Sequence, residues 1–239
     1  MNGLILTATS SALWSSPSIP DHELGDRKTI ADSKRDFHQL FPYVIAPLYR
    51  RLADELLVEL HLLSHQKQFK SNSLFAVGLD TVFRAFTQGY RPEDHPPLLF
   101  KALCDSNGFE ADQLRKEAAT TLEKAGNQSD GVFDGWVKQF QRPEDAHYSR
   151  LMAIGLFSLL DAANGEADAK AKVDQLKTQA SELSETLGLN RSRVDKDISL
   201  FLASRERMEQ AVELMEETLA SERKKREQRL AESAQGTAS

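Results

Sequence analysis

A chain of 239 residues with 40% apolar, 28% charged and 8% aromatic side chains can bury a core, which excludes disorder throughout. Thirty lysines and arginines against 36 aspartates and glutamates leave a net charge of −6, the wrong sign for a general nucleic-acid coat. The one cysteine, Cys104, excludes an internal disulfide and a cysteine-built metal centre, and suits a reducing compartment.

No run reaches the ~18 apolar residues that a bilayer-spanning helix needs. Residues 1–26 read as a flexible leader. Leu4-Ile5-Leu6 has no preceding positive charge, as a secretory signal would, and the first arginine is Arg27. From Asp32 to Ser64 large apolar residues recur at helical spacing, interrupted by Pro42 and Pro47. Proline lacks an amide donor, so this stretch divides into a short helix capped by Asp32 or Ser33 and a longer one over Pro47 to Gln66. The second is apolar nearly all round and belongs inside a bundle.

A third helix is predicted over Leu74 to Gln88, stopped by Gly89. Pro92, Pro96 and Pro97 enforce an irregular link. Helices follow over Leu98 to Ser106 and Ala111 to Ala125, closed by Gly108 and Gly126. A polar loop (126–135), a short helix from Trp136 to Phe140 and a helix opening at Pro143 and running to Asn164-Gly165 come next. No period-two run supplies a sheet, so the predicted fold is all-α.

Two helices echo each other. Leu74-Phe-Ala-Val-Gly78-Leu matches Leu151-Met-Ala-Ile-Gly155-Leu position by position. A mid-helix glycine costs ~1 kcal/mol of propensity, which close approach of another helix can offset. Gly78 and Gly155 are therefore expected where helices nearly touch. Arg-Pro-Glu-Asp also occurs twice, at 91–94 and 142–145, but in the opposite order relative to these helices, which excludes a tandem repeat.

Beyond Glu166 the aromatics vanish except for Phe201. Val173, Leu176, Ala180, Leu183 and Leu187 form one heptad seam; Val194, Ile198, Phe201, Met208, Val212, Met215 and Leu219 form another, broken at Arg205. Gly188-Leu189 makes a Schellman-type stop and Asn190 caps the next helix. The predicted architecture is a leader (1–26), a globular helical bundle (27–165) and a heptad-patterned helical hairpin or arm (166–239) with a frayed basic end. The second seam is expected to dock on the first through Leu219 and to project freely beyond it.

Candidate chemistry is sparse. His61 and His65 are spaced to share a metal ion, but the glutamate of a metalloprotease helix and a third ligand are missing. Glu55 and Glu59 lack the companion motif of a di-metal site and suit ion pairs with neighbouring arginines. No phosphate-binding glycine loop, nucleophile elbow or dinucleotide fingerprint is present. No catalytic, cofactor or metal residue is assigned. Ser184 to Ile198 resembles a helix-turn-helix, an alternative reading as a DNA-binding regulator using 180–200, although Asp195 and Asp197 alternate with its cations. A generic coiled-coil scaffold dimerising through 173–219 is a second alternative.

The run Thr29 to Phe37, the run Tyr49 to Ser64, Phe75-Ala-Val-Gly-Leu79, Gly89-Tyr-Arg-Pro-Glu93 and Tyr148 to Leu156 carry a family signature. Over roughly 29–220 the chain resembles the thylakoid formation family, also called the photosystem II biogenesis proteins. Residues 1–26 have no counterpart in the usual cyanobacterial pattern. Ile45-Ala46-Pro47 and Ser71-Asn72-Ser73 depart from it locally. The resemblance implies an all-helical, non-enzymatic protein attached peripherally to the cytoplasmic face of the thylakoid. It implies a role in photosystem II assembly and repair through association with FtsH-type membrane proteases and maintenance of their level. Photosystem II components are further partners under this reading, nucleic acid is not, and the chain is a monomer or weakly self-associating.

The candidate partner surface comprises Arg50 and Arg51 at the start of the most apolar helix, and Tyr90 and Arg91 on the proline-rich link, where a side chain can project. The cluster Arg223, Lys224, Lys225 and Arg226 suits weak electrostatic contact with an anionic membrane or an acidic partner. Against these stands plain ion pairing of Arg50 with Asp54 and of Arg51 with Glu55.

Overall fold

The computed structural model describes residues 28–128, 132–143, 145–164 and 169–236. All regular structure among them is helical: α1 (Ile30–Leu40), α2 (Pro47–Ser64), α3 (Ser73–Thr87), α4 (His95–Asp105), α5 (Ala111–Gly126), α6 (Phe133–Val137, continued by a 3-10 turn Lys138–Phe140), α7 (Arg150–Ala163), α8 (Ala169–Thr186) and α9 (Arg191–Gly236). The predicted leader lies outside the described residues.

Helices α3 and α7 form the centre. Nine of the ten α7 residues from Leu151 to Leu160, all but Ser158, are buried, as is nearly all of α3 from Leu74 to Phe83. The two run antiparallel with their backbones touching at the predicted glycines. A β-carbon at Gly78 would lie 1.7 Å from the Leu151 carbonyl oxygen, and one at Gly155 would lie 2.0 Å from that of Leu74. Helix α5 packs on both, and α1, α2 and α4 close the other side. Within this core Cys104 is fully enclosed, and burial pushes its thiol up to about 12.

The start of α1 differs from expectation. Thr29, not Asp32 or Ser33, is the N-cap: its hydroxyl accepts from the Asp32 amide, and the Asp32 carboxylate accepts from the Thr29 amide in return. Donation from the Thr29 hydroxyl (2.6 Å), reinforced by the Thr29 amide and by Arg35, holds the Asp32 carboxyl well below its usual range, at about 2. Pro143 does not open a helix. Residues 141–143 and 145–149 stay irregular because the Arg142 amide donates to the Leu187 carbonyl (3.2 Å) and the His147 amide to that of Gln68 (3.1 Å), so they are tied to two other parts of the chain. Helix α7 begins later, capped by the Ser149 hydroxyl.

The turn between α8 and α9 is as expected. Gly188 adopts φ 71°, the Leu189 amide reaches back to Ser184 O (2.8 Å), and Asn190 Oδ1 caps α9 through the Arg193 amide. Val194, Ile198, Phe201, Met208 and Val212 are buried. Their cover is broader than the first seam alone: α9 also packs on α7 and α3, Phe201 meets Phe86 edge to face, and Val212 rests on the backbone of Gly89. Docking ends sooner than expected. Met215 is half-buried, but Leu219 is 43% exposed, and α9 continues past it with an exposed surface.

Candidate partner-docking surface

Helix α2 starts with Pro47 in its first turn, which places Arg50 and Arg51 on its outer face while Tyr49 and Ala53 turn inward. Arg51 Nε donates to Glu55 Oε1 at 2.8 Å, the pairing its spacing predicts. Arg50 is exposed and forms no ion pair with Asp54. One of the two expected pairs exists, and the other cation faces solvent.

Beside Arg51 the surface opens into a groove of about 350 Å³ where α2, α3, α7 and α9 meet. Leu48, Leu52, Val82, Phe86, Ile154 and Phe201 supply apolar walls, and Leu200, 53% exposed, stands at the edge. The polar lining is held in place by hydrogen bonds. Arg150 grips one oxygen of Glu59, Oε2, through both Nε (2.9 Å) and Nη2 (2.7 Å), a charge-assisted pair across 91 residues of sequence. The Tyr148 hydroxyl donates to Asp197 Oδ2 at 2.7 Å, which joins the start of α7 to α9. Burial and this bond push the phenol far above its ordinary value, so it stays a donor. Arg207 Nε donates to the Ala203 carbonyl at 3.0 Å. An apolar trough with positioned charges is the geometry that receives an amphipathic segment of another chain.

The remaining candidates fall elsewhere. Tyr90 does not project: it is 3% exposed, with its ring 4.7 Å from that of Tyr49. The tyrosine turns inward against Tyr49 of α2 and His95 of α4, and of the two candidates on the link only Arg91, paired with Glu93, faces solvent. Arg223, Lys224, Lys225 and Arg226 are exposed on the part of α9 beyond the bundle. Arg205, which interrupts the second seam, pairs with Glu209 (3.5 Å) and lies over the Phe201 ring.

The His61 and His65 rings lie 4.4 Å apart and tilted, but His61 Nδ1 faces the Ser33 hydroxyl (3.0 Å) and His65 Nδ1 the His61 carbonyl (2.8 Å). Burial is the main cause that lowers the His61 pKa. Among the described residues no three His, Cys, Asp or Glu side chains gather as for a metal ion. In the helix-turn-helix segment Val194 and Ile198 are buried, Asp195 pairs with Lys177 (3.2 Å) and Asp197 serves Tyr148, so this part of α9 is committed to its own chain. The groove itself escaped sequence reading. Its partners lie on four helices, and no local spacing links Glu59 to Arg150 or Tyr148 to Asp197.

Comparison with known proteins bears on this surface. The family model of the thylakoid formation proteins matches residues 29–230. Protein Thf1 of Parasynechococcus marenigrum (strain WH8102) is 59% identical over 215 residues, covering 90% of this chain and 100% of the relative. Protein Thf1 of Synechococcus sp. (strain CC9605) is 56% identical over 212 residues, covering 89% and 98%. Among solved structures, that of Psb29 superposes with a TM-score of 0.69 at 30% identity, over 84% of this chain and 99% of that one. No helix among the described residues is long and apolar enough to cross a membrane.

Proposed function

Because the chain belongs to the thylakoid formation protein family, we propose that it is a non-enzymatic factor of photosystem II assembly and repair, acting by association with FtsH-type membrane proteases and maintenance of their level. The observation that carries this reading is the arginine-flanked apolar groove between α2 and α9. It offers a partner a shaped, preorganised surface, and a binding factor needs no more than that. In this reading the groove and Arg50 receive an amphipathic segment of the protease complex with an acidic flank, which the free Arg50 charge would attract.

The bundle over 27–165 works here as the docking body and the 166–239 arm as its extension. The exposed cations Arg223 to Arg226 make weak, salt-sensitive contact with the anionic cytoplasmic face of the thylakoid, so attachment is peripheral. Photosystem II components are reached through the protease. The protein acts without a cofactor, as a monomer or a weak self-associate.

A pull-down from solubilised thylakoids, with tagged full-length protein and captured subunits identified, tests the reading. Recovery of FtsH-type protease subunits that is lost with Leu52→Asp in the groove supports it. Capture that survives this substitution in a folded variant moves the contact elsewhere, and no capture of protease overturns the proposal.

A further inference from the structure

On the opposite side of α7's first turn from the groove, two irregular segments enclose a second cleft, of about 440 Å³. The α2–α3 link contributes Lys67 and Lys70, and the segment before α7 contributes Arg142, Asp145 and His147. The cleft is a built feature. The His147 amide bonds to Gln68 O, the Arg142 amide bonds to Leu187 O, and the Arg142 guanidinium donates to the His147 carbonyl. The two walls are thus tied to each other by one main-chain bond, and the segment before α7 is tied to the end of α8 by another.

The charge is lopsided. Among the described residues three cations line the cleft with one carboxylate, Asp145, and that carboxylate is exposed. Arg142 is the unusual member: it is 9% exposed, and among the described residues no carboxylate pairs with it. A guanidinium has five N–H donors, and one bond to a carbonyl leaves most of that capacity unused. Burying an unpaired cation is unfavourable unless something compensates it. Asn72, the cap of α3, and Met152, in the first turn of α7, also line the cleft, so the positive ends of two helix dipoles lie close to it.

We propose that the cleft framed by Lys67, Lys70 and Arg142 binds a phosphate-type oxyanion carried on a small organic group. The anion faces the three cations, as expected where guanidinium and ammonium donors converge. The cleft is larger than a lone phosphate requires and lies within the range of ~300–1,000 Å³ of small-molecule sites. Pro143, Ala146 and Met152 supply an apolar wall for the rest of the ligand. Such a group has two sources, a soluble phosphorylated compound or an anionic phospholipid headgroup.

The test uses full-length protein and the exposed pair Lys67→Gln/Lys70→Gln, which leaves the buried Arg142 and the fold intact. Inorganic pyrophosphate is titrated by calorimetry, and vesicles of anionic phospholipid are compared with neutral ones by flotation. Lys224→Gln/Lys225→Gln controls for the distant basic end. The proposal expects binding by the parent chain that weakens about tenfold or more in the Lys67/Lys70 variant; Lys224→Gln/Lys225→Gln leaves pyrophosphate binding unchanged and lowers only the share of vesicle binding that the basic end supplies. Pyrophosphate binding with no matching vesicle effect assigns a soluble ligand. Vesicle binding that depends on Lys67 and Lys70 assigns a headgroup. Absence of both, or binding unchanged by Lys67→Gln/Lys70→Gln, overturns the site.

Discussion

Gly78 and Gly155 meet backbone to backbone: a β-carbon on the first would sit 3.0 Å from the amide nitrogen of the second, and one on the second 3.2 Å from that of the first. Each glycine thus makes room for the other's helix. The contact is what allows α3 and α7 to be buried together at the centre of the fold.

Gly78→Ala and Gly155→Ala are each expected to destabilise strongly. Alanine would recover ~1 kcal/mol of helix propensity. The added methyl, however, collides with a main-chain carbonyl that cannot rotate away, and overpacking of that kind costs about 3 kcal/mol or more. Urea unfolding of the two variants checks this. Parent-like midpoints would mean that the helices do not cross here.

Tyr148→Phe removes the hydroxyl bond to Asp197 and leaves the ring in place. A loss of about 1–2 kcal/mol is expected, because the acceptor is charged and the phenol is largely enclosed. Since the bond joins α7 to α9, amide exchange in α9 near Asp197 should accelerate in step. Comparison of exchange in the two proteins reads both effects.

Asp80 should give stability an acid-side slope of unusual sign. Burial in α3 raises its carboxyl pKa above the ordinary value of 3.8, only partly opposed by Arg84 at 2.7 Å and by Arg115. The folded chain therefore holds this proton more tightly than the unfolded one. The contribution of Asp80 is most favourable below pH 3.8 and declines as pH rises through the raised value. Asp80→Asn is expected to be at least as stable as the parent at neutral pH and to flatten this part of the profile. Thermal unfolding across acid pH measures it, and a variant less stable at neutral pH would contradict the assignment.

Charge reversal separates the two arginines of α2. Arg50→Glu should cut co-purification of the protease without moving the unfolding midpoint, because Arg50 is exposed and has no ion pair among the described residues. Arg51→Glu breaks the bond to Glu55, a solvent-exposed pair with little weight in stability. Equal capture by parent and Arg50→Glu proteins would remove Arg50 from the interface.

Hydrogen exchange along α9 should divide at Met215. Amides from Val194 to Val212 lie in the shared core and should exchange slowly, whereas those from Glu222 onward have only local support. Uniform protection through Arg229 in the isolated protein would contradict the exposed geometry of this part of α9.

What the sequence revealed and what it concealed follow from the range of each interaction. Mid-helix glycines in matching contexts announced the α3–α7 crossing, because nothing local justifies their cost. Gly188-Leu189-Asn190 announced its turn through purely local bonds. The Thr29 cap is local too, with Asp32 completing its capping box three residues later, but Asp32 and Ser33 compete with it by residue type alone. Pro143 read as a helix start because its segment is shaped by bonds to Leu187 and Gln68, both far away in sequence. Tyr90 turns inward for the same reason, against Tyr49, which is distant in sequence. The groove and the basic cleft are products of assembly, and no single segment carries their pattern.

The enclosure of Cys104 has a practical consequence. As the chain's one cysteine, fully covered and with its thiol raised to about 12, it holds almost no thiolate at neutral pH and presents no sulfur to a reagent. The native protein is therefore chemically silent toward maleimides and thiol cross-linkers. A single cysteine placed at Arg50, Lys70 or Lys224 would be the sole reactive handle, and spin labels or photo-cross-linkers attached there would report contacts of the groove, the cleft and the basic end one at a time.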